Sequence, residues 1–187
     1  FARSEGVSWD VIGRALRALQ GVPGRLEYVQ HEPFSVVVDY AHTPDSLKKL
    51  YGFLKRDQKK LICVLGATGG GRDKGKRPDM GRIAGEYCDE VVLTDEDSYD
   101  ESPAQIVADL KSGVSDSEFL ASHVHEVLDR REAIKKAVSL AGEGDVVALT
   151  GKGSQESIAM KGGVKIPWSD VGVALEVLGK KTSDSNE

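Results

Sequence analysis

The string Gly66–Ala67–Thr68–Gly69–Gly70–Gly71–Arg72–Asp73–Lys74–Gly75–Lys76–Arg77 sets permissive backbone beside dense positive charge. Glycines let backbone N–H groups approach an anion closely. Arg72, Lys74, Lys76 and Arg77 can pair with carboxylate or phosphate, arginine through a bidentate fork. No GxxxxGK[ST] string is present, so this is not a P-loop, and it makes a poor dinucleotide fingerprint. At a strand end the stretch reads as an anion-binding loop, against the plain alternative of a solvated one. A second cluster is Asp39–Tyr40–Ala41–His42–Thr43–Pro44–Asp45. Asp39 closes an apolar run, and a carboxylate there can accept from ribose hydroxyls. Thr43 and Pro44 read as an N-cap and first helical residue, with Asp45 in the same cap. His42 stands between a nucleotide contact and a polar turn residue. The third cluster, Asp95 to Glu101, reads DEDSYDE. Its carboxylates offer oxygens to a metal without fixed ligand spacing, favour the dipole of a following helix, or accept a ligand's ammonium group. His123 and His125 read as surface or edge residues, and Trp168 as packing.

Such loops must be brought together by a scaffold, and the sequence alternates accordingly. Trp9 to Leu19 has helical spacing at Val11, Ile12, Ala15, Leu16, Ala18 and Leu19, with Ser8 as N-cap. Gly21, Pro23 and Gly24 then break it into a linker. With nothing before it to pack on, this helix is assigned to a preceding domain. Strands are predicted at Phe34–Asp39, Lys60–Gly66, Glu90–Thr94 and Asp145–Leu149, with a short one within Phe119–Val127. Helices are predicted at Pro44–Leu54, from Pro78 to Tyr87, from Ser102-Pro103 through Leu110, at Arg131–Ala141 and at Ser169–Leu178. Lys180–Glu187 reads as a polar tail. Near-continuous apolar strands alternating with helices predict an α/β fold, a Rossmann-like, mostly parallel sheet with helices on both faces. Ligands of such sheets bind beyond the carboxyl ends of the strands. There the three clusters and the loop Thr150–Gln155 should meet.

Composition narrows the function. Lys and Arg total 25 against 30 Asp and Glu, and the net charge of −5 argues against a nucleic-acid surface. No apolar run approaches the roughly 20 residues of a membrane span. Cys63 and Cys88 cannot build a disulfide framework and fit a reducing cytoplasm. At 187 residues the chain allows one domain, or one domain and a piece of another. It starts at Phe1 without a signal-peptide pattern, and reads as cut from something longer.

Four strings then occur in order: Gly21–Val–Pro–Gly–Arg25–Leu–Glu27, Asp39–Tyr–Ala–His–Thr–Pro–Asp–Ser–Leu47, Arg72–Asp–Lys–Gly–Lys–Arg–Pro78 and Gly151–Lys–Gly153. In these the chain closely resembles the C-terminal part of the UDP-N-acetylmuramoyl-peptide synthetases, the MurE branch of the Mur ligases. The resemblance covers nearly the whole chain. It implies a ligase of peptidoglycan synthesis, and so of cell shape and division, that uses ATP and Mg²⁺. ATP phosphorylates the terminal carboxylate of a UDP-N-acetylmuramoyl peptide, and an amino acid's amine displaces the phosphate. It implies that residues 1–25 end a central ATP-binding domain, that 26–179 form the C-terminal domain and that 180–187 are a tail. The P-loop and most Mg²⁺ ligands would lie in the missing central domain, leaving no catalytic residue here and no activity for the fragment alone.

Carried over by position, the resemblance places Arg25, Asp39 and His42 at ATP, Arg72 on the amino acid's carboxylate and Gly151 at a backbone contact to the amino acid. Members that add diaminopimelate carry Asp-Asn-Pro-Arg where this chain has Glu96, Asp97, Ser98 and Tyr99. Where the family's Gly-Lys-Gly string is followed by His-Glu, Ser154 and Gln155 stand here, and Gln155 is taken as a substrate contact. Without the arginine, the expected substrate is one with a distal ammonium, lysine or ornithine, received by Glu96 or Asp97. A nucleotide- or anion-binding module without ligase activity is the rival reading. A dehydrogenase is excluded, because DYAHTP stands where GxGxxG would be required.

Overall fold

The computed structural model describes residues 1–18, 21–56, 59–115 and 121–180. In chain order its elements are α1 (Trp9–Ala18), β1 (Glu27–Gln30), β2 (Ser35–Asp39), α2 (Pro44–Leu54), β3 (Leu61–Leu65), α3 (Lys76–Tyr87), β4 (Glu90–Leu93), α4 (Pro103–Ser115), β5 (Val124–Glu126), α5 (Arg130–Leu140), β6 (Val146–Thr150), β7 (Ser157–Ala159), β8 (Lys165–Pro167) and α6 (Asp170–Val177). The main sheet runs β1-β2-β6-β3-β4-β5. Strands β2 to β6 are mutually parallel, and β1 joins the edge antiparallel to β2. A separate antiparallel pair, β7 and β8, follows the last sheet strand.

The apolar strand runs explain this arrangement. Strand side chains alternate between faces, so a run such as Leu61–Leu65 feeds two cores at once. Leu61, Cys63 and Leu65 pack with Val37 and Val91 against α2, α3 and α4. Ile62 and Val64 pack with Val36, Val38 and Leu149 against α5 and α6. Helices α3 and α4 cross in backbone contact, because a Cβ on Gly81 would lie 1.9 Å from the Leu110 carbonyl oxygen and one on Gly113 would lie 1.8 Å from that of Pro78.

Several boundaries differ from the sequence reading. Helix α3 starts at Lys76 rather than Pro78. Proline is tolerated in a first turn, whose N–H groups lack intrahelical partners. Arg77 therefore sits on a helix rather than in the loop. Helix α5 starts at Arg130 on the N-cap Asp129. Strand β5 occupies only the end of the predicted 119–127 segment, of which residues 119 and 120 lie outside the described residues, as do Leu19 and 181–187. β1, β7 and β8 were not foreseen. Helix α1 buries none of its residues, and Trp9 is 69% exposed. No helix among the described residues is long and apolar enough to cross a membrane.

Candidate functional site

The parallel strands deliver their following loops to one sheet edge, and the chemistry collects there. Asp39 ends β2. Its Oδ2 accepts the Leu26 N–H and its Oδ1 the Ala41 N–H, both at 2.8 Å. The sequence offered Asp39 to a ribose; in the structure the carboxylate ties the linker backbone to the sheet edge. Arg25, the residue before the clasp, lays its guanidinium over the Tyr40 ring at 4.4 Å, a cation–π contact. His42 donates from Nδ1 to the Tyr40 carbonyl at 2.8 Å. A carbonyl can only accept, so Nδ1 carries a proton in this bond. Thr43 is the N-cap of α2 and Pro44 stands in its first turn, as the sequence indicated, and Ser46 completes a capping box with Thr43.

The glycine-rich loop divides its cations between internal and outward duty. Arg77 is fully buried and donates to Asp109 at 2.9 Å, Glu101 at 3.0 Å and the Thr68 carbonyl at 3.3 Å. Lys74 pairs with Glu101 at 3.0 Å. Lys76 donates to the His42 carbonyl at 3.0 Å, joining the loop to the second cluster. Of these cations Arg72 alone makes no side-chain hydrogen bond or ion pair among the described residues, and it is exposed. Lys74, then Arg77 and the Gly71 N–H, hold the Glu101 carboxyl down at about 2. Its folded pKa lies below the ordinary carboxylate value, so its stabilising contribution is complete above that value and is lost as pH falls toward 2. Glu101→Gln is therefore expected to flatten the loss of Tm between roughly pH 5 and pH 2, recorded by thermal melts across that range.

The acidic cluster is buried instead of solvated. Glu96 is 2% exposed and Asp97 7%. Glu96 Oε1 accepts the Thr68 hydroxyl at 3.0 Å, and Oε2 has no hydrogen-bond partner. Burial pushes the Glu96 carboxyl up, opposed in part by the Arg130 charge. Asp97 receives Lys152 Nζ at 2.9 Å on each oxygen, and Oδ1 also accepts the Ala159 N–H at 2.6 Å. Asp97, offered by the sequence to a substrate ammonium, is met in the structure by the protein's own lysine. Glu96, behind Thr68, shows no open face. Beyond them Tyr99 holds φ at 49° and donates its N–H to the Ala159 carbonyl at 3.1 Å. The metal reading of the cluster finds no support, since no group of three or more His, Cys, Asp or Glu side chains among the described residues is placed to hold an ion.

Gly151 follows β6 with φ +101° and donates its N–H to the Asp39 carbonyl at 3.2 Å. A Cβ there would stand 2.1 Å from Glu96 Oε2, so the position needs glycine for its backbone and for space. Arg130, at the start of α5, braces the strand end. It grips Asp170 with Nε at 2.9 Å and Nη2 at 2.6 Å, and Nη2 also donates to the Thr150 carbonyl at 2.9 Å. Trp168, read as packing, adds an indole N–H to Asp170 at 2.7 Å. His123 and His125 flank Glu90 at the β5 edge, away from these loops.

Between the loops lies a hollow of about 330 Å³, lined by Tyr40, His42, Arg72, Asp97, Tyr99 and Gln155 among others. Gln155 points Nε2 at the Tyr40 hydroxyl at 3.5 Å, and its buried Oε1 has no partner. The structure thus brings His42, Arg72, Asp97 and Gln155 around one space. Arg25 stacks on one of its walls, Glu96 is bonded to Thr68 in another, and Asp39 and Gly151 are bonded to each other nearby. Sequence reasoning missed Tyr40, Thr68 and Lys152 as parts of the site. Lys152 was in view between two glycines, but nothing in that string signals burial.

The chain matches the family described as "Mur ligase, glutamate ligase domain" over residues 24–153. It is 43% identical over 180 residues to the UDP-N-acetylmuramoyl-L-alanyl-D-glutamate--2,6-diaminopimelate ligase of Aquifex aeolicus (strain VF5), covering 96% of this chain and 36% of that protein. The ligase of the same name from Syntrophomonas wolfei is 42% identical, with 95% and 36% covered. A solved structure of a ligase so named superposes with a TM-score of 0.77 at 36% identity, covering 95% of this chain and 36% of that one. Folylpolyglutamate synthase of Mycobacterium tuberculosis shares the fold, with a TM-score of 0.62 at 21% identity over 94% of this chain and 36% of that one. The chain thus spans about a third of the length of these relatives. With the family's pattern matched across the linker, the glycine-rich loop and the last sheet strand, and with those segments gathered at one edge, the chain belongs to the Mur ligase, glutamate ligase domain family.

Proposed function

We propose that this chain is the amino-acid-delivering domain of an ATP-dependent ligase that extends a UDP-N-acetylmuramoyl peptide by one residue in peptidoglycan synthesis in the cytoplasm. The observation that carries the reading is Arg72. It is a guanidinium without a partner among the described residues, set on a loop whose other cations are tied down, and it faces the hollow that His42 and Gln155 also line. A bidentate contact from Arg72 to an amino acid's carboxylate would orient the amine. The linker guanidinium of Arg25, stacked on Tyr40, and the imidazole of His42 are assigned to a nucleotide's polar groups. In the reaction ATP turns the peptide's carboxylate into an acyl phosphate, and the delivered amine displaces phosphate. This chain's part is to bind and orient. The metal that accompanies ATP finds no ligand group among the described residues, so no step is assigned to it on them.

Arg72→Ala in the full-length ligase tests the reading. Loss of a charge-assisted bidentate contact, about 1.5–3 kcal/mol, should raise KM for the amino acid about 10- to 100-fold. KM for ATP should stay unchanged. An unaltered amino-acid KM removes Arg72 from the site. The upstream coding sequence should contain a P-loop of the Gly-Thr-Asn-Gly-Lys-Thr type; its absence would favour a free-standing anion-binding module.

A further inference from the structure

Ala159 gives its N–H to Asp97 at the wall of the substrate hollow, but its neighbours Ile158 and Met160 line a different space. This second cavity has a volume of about 260 Å³ and shares no lining residue with the hollow. Leu128, Ile166 and Trp168 complete its apolar walls. Leu128 and Ile166 are 45% and 47% exposed, so those walls reach the surface. A small apolar space with a few fixed polar groups is the usual form of a small-molecule site.

The polar lining is of two kinds. Arg130 and Arg131 open α5 and supply donors. The cap Asp129 accepts the Glu132 N–H, while the backbone N–H groups of Arg130 and Arg131 make no hydrogen bond among the described residues. The Arg130 side chain is 3% exposed, its Nε and Nη2 are engaged by Asp170 and Thr150, and its Nη1 is buried without a partner. A helix N-terminus favours a carboxylate, and a buried donor left unpaired is unfavourable by itself. Asp95 supplies the acceptor. Its oxygens take the Glu96 N–H at 2.8 Å and the Ser98 hydroxyl at 3.2 Å, and it makes no ion pair among the described residues. Burial pushes its carboxyl up, which an ammonium beside it would oppose.

We propose that this cavity binds a free apolar α-amino acid, its carboxylate on the opening N–H groups of α5, its ammonium on Asp95 and its branched or aromatic side chain among Met160, Ile166 and Trp168. The molecule bound here is separate from the amino acid oriented by Arg72.

Trp168 reports on its own cavity. Trp9, the other of the chain's two tryptophans, lies on α1, which buries none of its residues. The 187-residue chain carrying Trp9→Phe is titrated with L-leucine, L-isoleucine and L-phenylalanine. Trp168 emission should change saturably with at least one of them, at a half-saturation below about 1 mM. Isoamylamine and isocaproate keep the leucine side chain with one charge each, and both should need at least about tenfold more. Ile166→Asp and Leu128→Asp, at the half-exposed rim, should retain the far-UV circular dichroism of the parent and lose the response. Arg72→Ala should keep it. No saturable change with any of the three amino acids, equal affinity for either singly charged analogue, or persistence in a folded rim variant overturns the proposal. Loss in Arg72→Ala also overturns it, because the amino acid would then sit in the substrate hollow. Calorimetry on the full-length ligase should show the same preference. Silence there would mean that another segment of the longer chain fills the cavity, and the proposal falls.

Discussion

Arg130→Met should lower the stability of the fold by about 3–5 kcal/mol, the usual effect of removing one partner from a buried ion pair. The Asp170 carboxylate is fully buried, and its two oxygens are held by the Nε and Nη2 of Arg130. After the substitution the indole N–H of Trp168 and the local backbone are left to stabilise a charge that water cannot reach. The Thr150 carbonyl loses its guanidinium donor in the same step. Urea unfolding checks this, through a lowered midpoint at unchanged slope. The companion variant Arg130→Met/Asp170→Leu should regain most of the loss, because an apolar pair of similar volume needs no counter-charge. If the single and double variants are equally destabilised, the ion pair is not what braces the end of β6.

Gly151→Ala should be nearly as damaging, through two separable effects. A backbone at φ +101° is strained for a residue with a Cβ, by about 1–3 kcal/mol. The new methyl group would also overlap the Glu96 carboxylate, 2.1 Å from Oε2 and 2.7 Å from Cδ. Overpacking of this kind adds about 1–3 kcal/mol. The total is therefore about 2–6 kcal/mol. Glu96→Ala in the same chain removes the overlap and should restore the second part while leaving the first. Thermal melts of the two single variants and the double variant separate them. Full recovery in the double variant would mean that the backbone conformation carries no strain.

Much of this architecture was legible in the residues. FSVVVD, KLICVLG and DVVAL are apolar at every step because each strand is covered on both faces, and that pattern means a parallel sheet. A parallel sheet in turn delivers the loops after Asp39, Leu65, Leu93 and Thr150 to one edge. β1 was missed because Glu27–Gln30 is short and half polar, and its pairing slips between Tyr28 and Gln30. β7 and β8 hold three residues each, too few for a periodicity to register.

The larger blind spot was charge. The sequence offers Arg77 to an anion and Asp97 to a substrate and gives Arg130 and Lys152 no role, yet all four are buried, as charged side chains rarely are unless paired. Their partners stand far off along the chain, 32 residues away for Arg77 and Asp109, 40 for Arg130 and Asp170 and 55 for Lys152 and Asp97. No local pattern announces such pairs. Arg72 was legible for the opposite reason: it shares its loop with other cations, and only the folded chain shows that those are engaged elsewhere.

The clasp of Asp39 on Leu26 decides where this domain can swivel. With the Leu26 amide bonded to the sheet edge and the Arg25 guanidinium resting on Tyr40, residues 25 and 26 travel with the sheet as one rigid lever. A segment joined ahead of them is therefore expected to turn about Gly21, which is exposed with open space around it, while Gly24 stays packed on Gly153 and Ser154 and keeps Arg25 beside the hollow.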